Sequence, residues 1–150
     1  MKKVLKSVSI CFIIAAMLTA GAFAAVPAEP DRPQASKYIA KTTTAIVALG
    51  SGKIGIDLAI TATKPFKDVG ALQVDIYEVG REKDTRVASH YYTDKGYEYI
   101  MDHNTASHLA SVTHNGTAGN KYYGKIKFYA GEDGVAGDIY TMTTIIVTAV

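Results

Sequence analysis

The chain has 150 residues, with 16 Lys+Arg against 14 Asp+Glu, 48% hydrophobic and 20% charged residues. That balance belongs to an ordinary globular domain and excludes a disordered tail or a collagen-like repeat. One cysteine rules out a disulfide-stapled miniprotein, and a formal charge of +2 gives no electrostatic footing for nucleic acid.

Residues 1–24 read as an address. Lys2, Lys3 and Lys6 form a basic start, Val8–Leu18 an apolar run, and Ala22-Phe23-Ala24 a small-residue cleavage site. This is the layout of a secretory signal peptide; the apolar run is short for a membrane span, and the alternative is an uncleaved anchor in which Ser7–Ala25 just reaches across. Cys11 lies inside the apolar run and leaves with it, so the exported chain is expected to hold together without disulfides. Losing the three lysines brings that chain close to neutral.

Residues 25–36 hold three of the four prolines, at Pro27, Pro30 and Pro33. A proline at every third position favours polyproline II, so this stretch is expected to be a short stiff linker. The remaining residues, 37–150, form the expected domain.

From Tyr38 onward the hydrophobic pattern has period two. Lys53–Thr61 alternates, with Ile54, Ile56, Leu58 and Ile60 on one face, and Gly50-Ser51-Gly52 closes a hairpin back to Thr43–Leu49. Lys64–Asp68 reads as a loop, and a second alternation then places Leu72, Val74 and Ile76 inward. The polar turn Gly80–Asp84 leads to a strand over Thr85–Tyr92. Thr93–Ala106 reads as a long crossing loop with one short turn near Tyr97–Met101. His108–His114 resumes the alternation and Asn115-Gly116 turns the chain. Lys121–Ala130 carries Tyr122, Ile126 and Phe128 on one side, with Lys125 and Lys127 on the other. Gly131–Gly134 then leads to a last strand over Asp138–Thr148. Val87, Tyr91, Val112, Ile145 and Val147 complete the expected core. The fold expected is all-β, a seven-stranded antiparallel sandwich.

In Gly119-Asn120-Lys121-Tyr122, opening an alternating strand, the chain resembles the sixth strand of fibronectin type III and immunoglobulin-like domains. That resemblance implies that the Tyr122 hydroxyl ties its strand to the preceding loop. Further stretches include Ala35–Ile39, Gly52–Ile56, Val69-Gly70-Ala71, Ile76-Tyr77-Glu78, Gly116–Tyr123 and Phe128-Tyr129-Ala130. With the signal they are similar to a family of small secreted proteins of Gram-positive, clostridia-like bacteria. This implies export and a compact β domain; it brings no catalytic residue and no ligand.

Residue chemistry points away from catalysis. There is no Gly-x-Ser-x-Gly, and Ser51 sits in a tight turn without an assignable partner. His108 and His114 share a strand face but stand roughly 20 Å apart at about 3.4 Å per residue, too far for one metal ion. Asp94, Asp102 and Asn104, or Glu132, Asp133 and Asp138, lack the spacing of a calcium loop. No metal and no cofactor is expected. Asn115-Gly116-Thr117 is formally a glycosylation sequon and reads as a turn.

The one excess is tyrosine, with ten residues. Tyr91, Tyr92, Tyr97 and Tyr99 cluster in sequence, and Tyr123 and Tyr129 flank Lys125 and Lys127 on a polar strand face. Tyrosine presents a flat apolar surface with a polar tip, suited to sugar and protein contacts, although its strand propensity alone places it on sheets. The functional expectation is a secreted, extracellular, non-enzymatic binding module for a glycan, envelope component or protein. Tyr91, Tyr92, Tyr97 and Tyr99 are its expected contact residues. The alternatives are self-association through edge strands Lys41–Val47 or Asp138–Thr148, or a bacteriocin-like antagonist.

Overall fold

The computed structural model of the protein describes residues 36–132 and 136–150. The expected signal peptide and all of the linker but Ser36 lie outside the described residues, as do Asp133 and Gly134. The described chain is all-β, with no α-helix among those residues. Its strands are β1 (Ile39–Gly50), β2 (Lys53–Glu78), β3 (Thr85–Tyr91), β4 (Met101–Asn115), β5 (Lys121–Gly131), β6 (Asp138–Thr143) and β7 (Val147–Thr148). A 3-10 turn at Glu98–Ile100 precedes β4. The seven strands form one antiparallel sheet.

β2 organises this sheet because its 26 residues pair with four neighbours. On one side β1 covers its first half, up to Ala62, and β5 its second half, from Asp68. On the other side β4 runs from Lys53 to Gly70 and β3 takes over from Gln73 to Glu78. The expected loop at Lys64–Asp68 is therefore wrong: these residues continue β2. Pro65 explains both the misreading and its resolution. It falls where the β1 ladder has ended, the β5 ladder has not begun and the β4 ladder is interrupted between Thr61 and Phe66. A missing N–H there breaks no ladder.

Residues Met101–Ala106, expected to belong to a crossing loop, begin β4 instead. Asn104 takes φ 55°, an irregularity that blurs the alternation in this stretch. The expected last strand is divided into β6 and β7, because Thr144 turns inward between them. Its hydroxyl accepts from the Gly124 N–H at 2.9 Å and donates to the Ile145 carbonyl at 2.8 Å.

Ile54, Ile56, Leu58, Ile60, Val74, Ile76, Val112, Tyr122, Ile126 and Phe128 are buried as expected. The expectation fails at Leu72, which is half-buried because the β2–β5 register shifts between Ala71 and Gln73. That bulge moves the core face from Val69 and Ala71 to Val74 and Ile76. Val87 and Tyr91 are exposed, because β3 turns Ala88 and His90 toward the side of Ile76 and Val74. Ile145 is exposed in the β6–β7 break, and Val147 is half-buried at the core edge. Ile39, Ile46, Phe66, Val69, Ile100 and Met142 join the core.

Contacts cross this core between distant parts of the sheet. A Cβ on Gly124 of β5 would fall 2.7 Å from Cδ1 of Ile56 in the first half of β2. The Thr42 hydroxyl of β1 lies 3.0 Å from the Met142 sulfur of β6. Tyr38 N–H donates to Asp138, and Gly52 N–H to the Val150 carbonyl at 2.8 Å. These ties run in ascending order and lay β1 along β6 and β7.

Tyr122 closes one end. It is 1% exposed, and its hydroxyl accepts from the Thr117 N–H at 2.9 Å and donates to Glu78 Oε2 at 2.8 Å. The strand is thus tied to its preceding loop as its sequence context implies.

Candidate contact face

Cross-strand pairing decides which tyrosines share a surface, since residues opposite one another in a sheet project to the same face. Tyr91 pairs with Gln73, Ser89 with Asp75 and His90 with Val74. Val74 is core, so Tyr91 and Ser89 point to the outward face and His90 to the opposite one.

On the outward face, Tyr77 of β2 and Tyr123 of β5 are register partners and stack at 5.1 Å with planes 6° apart. Lys125 Nζ stands 5.0 Å from the Tyr77 ring centre and 6.0 Å from that of Tyr123. Cation and rings therefore form one unit. Tyr123 donates to Asp84 Oδ2 at 3.0 Å, while the other oxygen of Asp84 accepts from Gly80 N–H at 3.2 Å. Burial, and then this contact with Asp84, holds the Tyr123 phenol above its ordinary pKa of 10.0.

Beside the stack, Asp75 accepts from Ser89 Oγ at 2.6 Å and Gln73 Nε2 at 2.9 Å, with Arg86 at 3.8 Å. Gln73 also reaches the Tyr91 hydroxyl at 3.2 Å. Tyr77, Lys83, Asp84, Thr85 and Arg86 line an open depression of about 400 Å³. The hairpin supports this depression because the Asp84 carboxylate ties back to the Gly80 backbone.

The other expected contact residues do not join Tyr91. Tyr97 stacks on His90 at 4.0 Å and 15°, and Tyr99 lies 6.1 Å beyond it on the far side of the sheet. Tyr99 donates to the Ser111 carbonyl at 3.1 Å, and its own carbonyl contacts His108 Nε2 at 2.9 Å. Tyr92 packs against the core, its N–H donating to the Leu72 carbonyl at 3.3 Å. The four tyrosines are thus divided: Tyr91 lies on the outward face, Tyr92 and Tyr97 pack against the core, and Tyr99 stacks on Tyr97. Tyr91 and Tyr99 are the two most exposed of the four, at 43% and 47%.

His108 and His114 share a face of β4, as their spacing requires. Burial lowers the pKa of His90 below 6.5, with the nearby His114 acting in the same direction and Asp94 and Asp75 opposing. His114 is lowered by burial against the pull of Glu78. Tyr99 is raised above 10.0 by burial and by Tyr97. His103 lies elsewhere, 2.6 Å from Asp68. Among the described residues, no three His, Cys, Asp or Glu side chains converge as a metal-ligand group, and no helix is long and apolar enough to cross a membrane.

Sequence reasoning missed Tyr77 and Asp84 as neighbours of Tyr123, and Arg86 as the register partner of Tyr77. The available signal was the pairing of Lys125 and Tyr123 on one polar strand face; what it lacked was the β2–β5 register. A scan against protein-family models and a search of curated proteins return no match to this chain.

Proposed function

We propose that this chain is a secreted, extracellular, non-enzymatic module that acts by holding a glycan, envelope component or protein against its outward face. The observation that carries this reading is the Tyr77–Tyr123 stack with Lys125 over it, beside the depression at Arg86. Paired rings, a fixed cation and hydrogen-bonding side chains offer apolar area and polar anchors on adjacent strands, which hold them in place. The contact set is Tyr77, Tyr123, Lys125, Arg86 and Tyr91. Tyr97 and Tyr99 are a second aromatic pair on the other face.

In this reading the domain is an immunoglobulin-like sandwich behind a cleaved signal peptide and a proline-rich linker. The contacts of β1 and β2 across the core from β5 and β6 support the two layers, and the Tyr122 tie supports the likeness. The Lys2/Lys3/Lys6 start and apolar run support export, in keeping with the resemblance to small secreted proteins of Gram-positive bacteria.

The test is retention of purified protein on bacterial cell walls, insoluble polysaccharides and mucin. Retention on one matrix is expected to be lost in Tyr77→Ala/Tyr123→Ala and kept in Tyr97→Ala/Tyr99→Ala. The opposite pattern, or no retention on any matrix, overturns the reading.

A second reading, self-association, draws on β4. Among the described residues this strand pairs only with β2; it carries no Lys, Arg or Pro and displays Leu109 at 75% exposure. Edges without such guards invite strand pairing. Sedimentation that shifts with concentration, and stops shifting in Leu109→Lys, would support it.

A further inference from the structure

The outward face has a chemical bias that narrows its ligand. Lys121, Tyr123, Lys125, Lys127 and Tyr129 occupy alternate positions of β5 and project to one side. Lysines at positions two apart lie about 7 Å from one another, and Lys121 and Lys127 are separated by about 20 Å. The face therefore carries a line of cations interleaved with rings.

The acidic side chains beside this line are already engaged. Asp75 is held by Ser89 and Gln73 and faces Arg86; Asp84 is held by Tyr123 and Gly80. Among the described residues, Lys83 and Lys127 have no carboxylate within ion-pair distance, and Lys125 is engaged with the two tyrosine rings. The carboxylates thus brace the aromatic floor and leave the ammonium groups for a ligand. Lys125 is also pre-oriented by its rings, which reduces the ordering cost of an ion pair.

Resting on the outward-face reading above, we propose that the ligand is a linear anionic glycan. Its carboxylate or phosphate groups pair with Lys125 and Lys127, and a sugar ring lies against the Tyr77–Tyr123 stack. Charge alone does not account for the arrangement, because an isolated lysine row needs no paired rings. Rings alone do not account for it either, because a neutral sugar needs no line of ammonium groups.

The experiment measures binding of the purified protein to four soluble polymers: polygalacturonate, a phosphate-bearing mannan, neutral dextran and polyglutamate. Expected is binding to polygalacturonate or the phosphomannan, weakening with added salt. Affinity should be at least tenfold lower in Lys125→Ala/Lys127→Ala and in Tyr77→Ala, and retained in Lys125→Arg. The anionic polymer bound more tightly identifies the acidic group. Circular dichroism of each variant confirms the sheet. Equal binding to polyglutamate overturns the glycan part, and equal binding to dextran overturns the anionic part. Binding to none of the four overturns the proposal. In that last case, tyrosine-dependent retention on another matrix would leave the broader outward-face reading standing.

Discussion

Replacing Tyr122 by Phe removes one oxygen from the core and leaves every carbon in place. In the native chain that oxygen accepts from Thr117 N–H at 2.9 Å and donates to Glu78 Oε2 at 2.8 Å. A buried N–H left without a partner costs about 1–3 kcal/mol, and a hydrogen bond to a charged group contributes about 1.5–3 kcal/mol. Glu78 is half-buried and regains water, so its share falls at the low end. The expected loss is about 1.5–3 kcal/mol, which for a domain near this size lowers Tm by roughly 5–15 °C. Urea unfolding followed by tyrosine fluorescence checks this, with an unchanged slope showing that both forms unfold from a similarly compact state. Gly116→Ala attacks the same tie, since its Cβ would fall 2.8 Å from Cζ of Tyr122. The two substitutions together are expected to cost less than their sum. A loss below about 0.5 kcal/mol for Tyr122→Phe would refute the view that this hydroxyl anchors the loop.

Two further predictions concern the core and the histidines. Gly124→Ala is expected to destabilise by about 1–3 kcal/mol through overpacking against Ile56. Adding Ile56→Val should recover part of that loss in the same unfolding assay, and no recovery would contradict the contact across the core. Stability is also expected to decline with acidity. His90 and His114 sit below 6.5 when folded, chiefly through burial, so the unfolded chain takes up protons first as pH falls past that value. Their contribution is full above pH 6.5 and is lost toward the folded values. The urea midpoint should be lower at pH 5.5 than at pH 7.5, and the difference should shrink in His90→Gln.

Some of this architecture was legible residue by residue. The Ile54–Ile60 alternation needed only period two and β-branched side chains, and Tyr122 was marked by the glycine three residues before it. Lys64–Asp68 misled because proline and charge imitate a turn, and only the changing partners of β2 reveal a place where a strand tolerates them. Leu72 misled for a related reason: a bulge reverses the phase of a strand without changing its composition. The contact face was half-legible. Tyr123, Lys125 and Lys127 declared themselves on one strand, but Tyr77 and Arg86 reach them through register, which sequence spacing does not encode. Proximity in sequence also grouped Tyr91 with Tyr97, although β3 and the segment after it send their rings to opposite faces.

The most direct test of the outward face is amide chemical-shift mapping of the isotopically labelled protein during titration with a galacturonate oligomer. The account predicts shifts concentrated at Tyr77, Asp84, Arg86, Tyr123 and Lys125, with Tyr97, Tyr99 and His108 unmoved. Shifts confined to Tyr97, Tyr99 and His108 would contradict it.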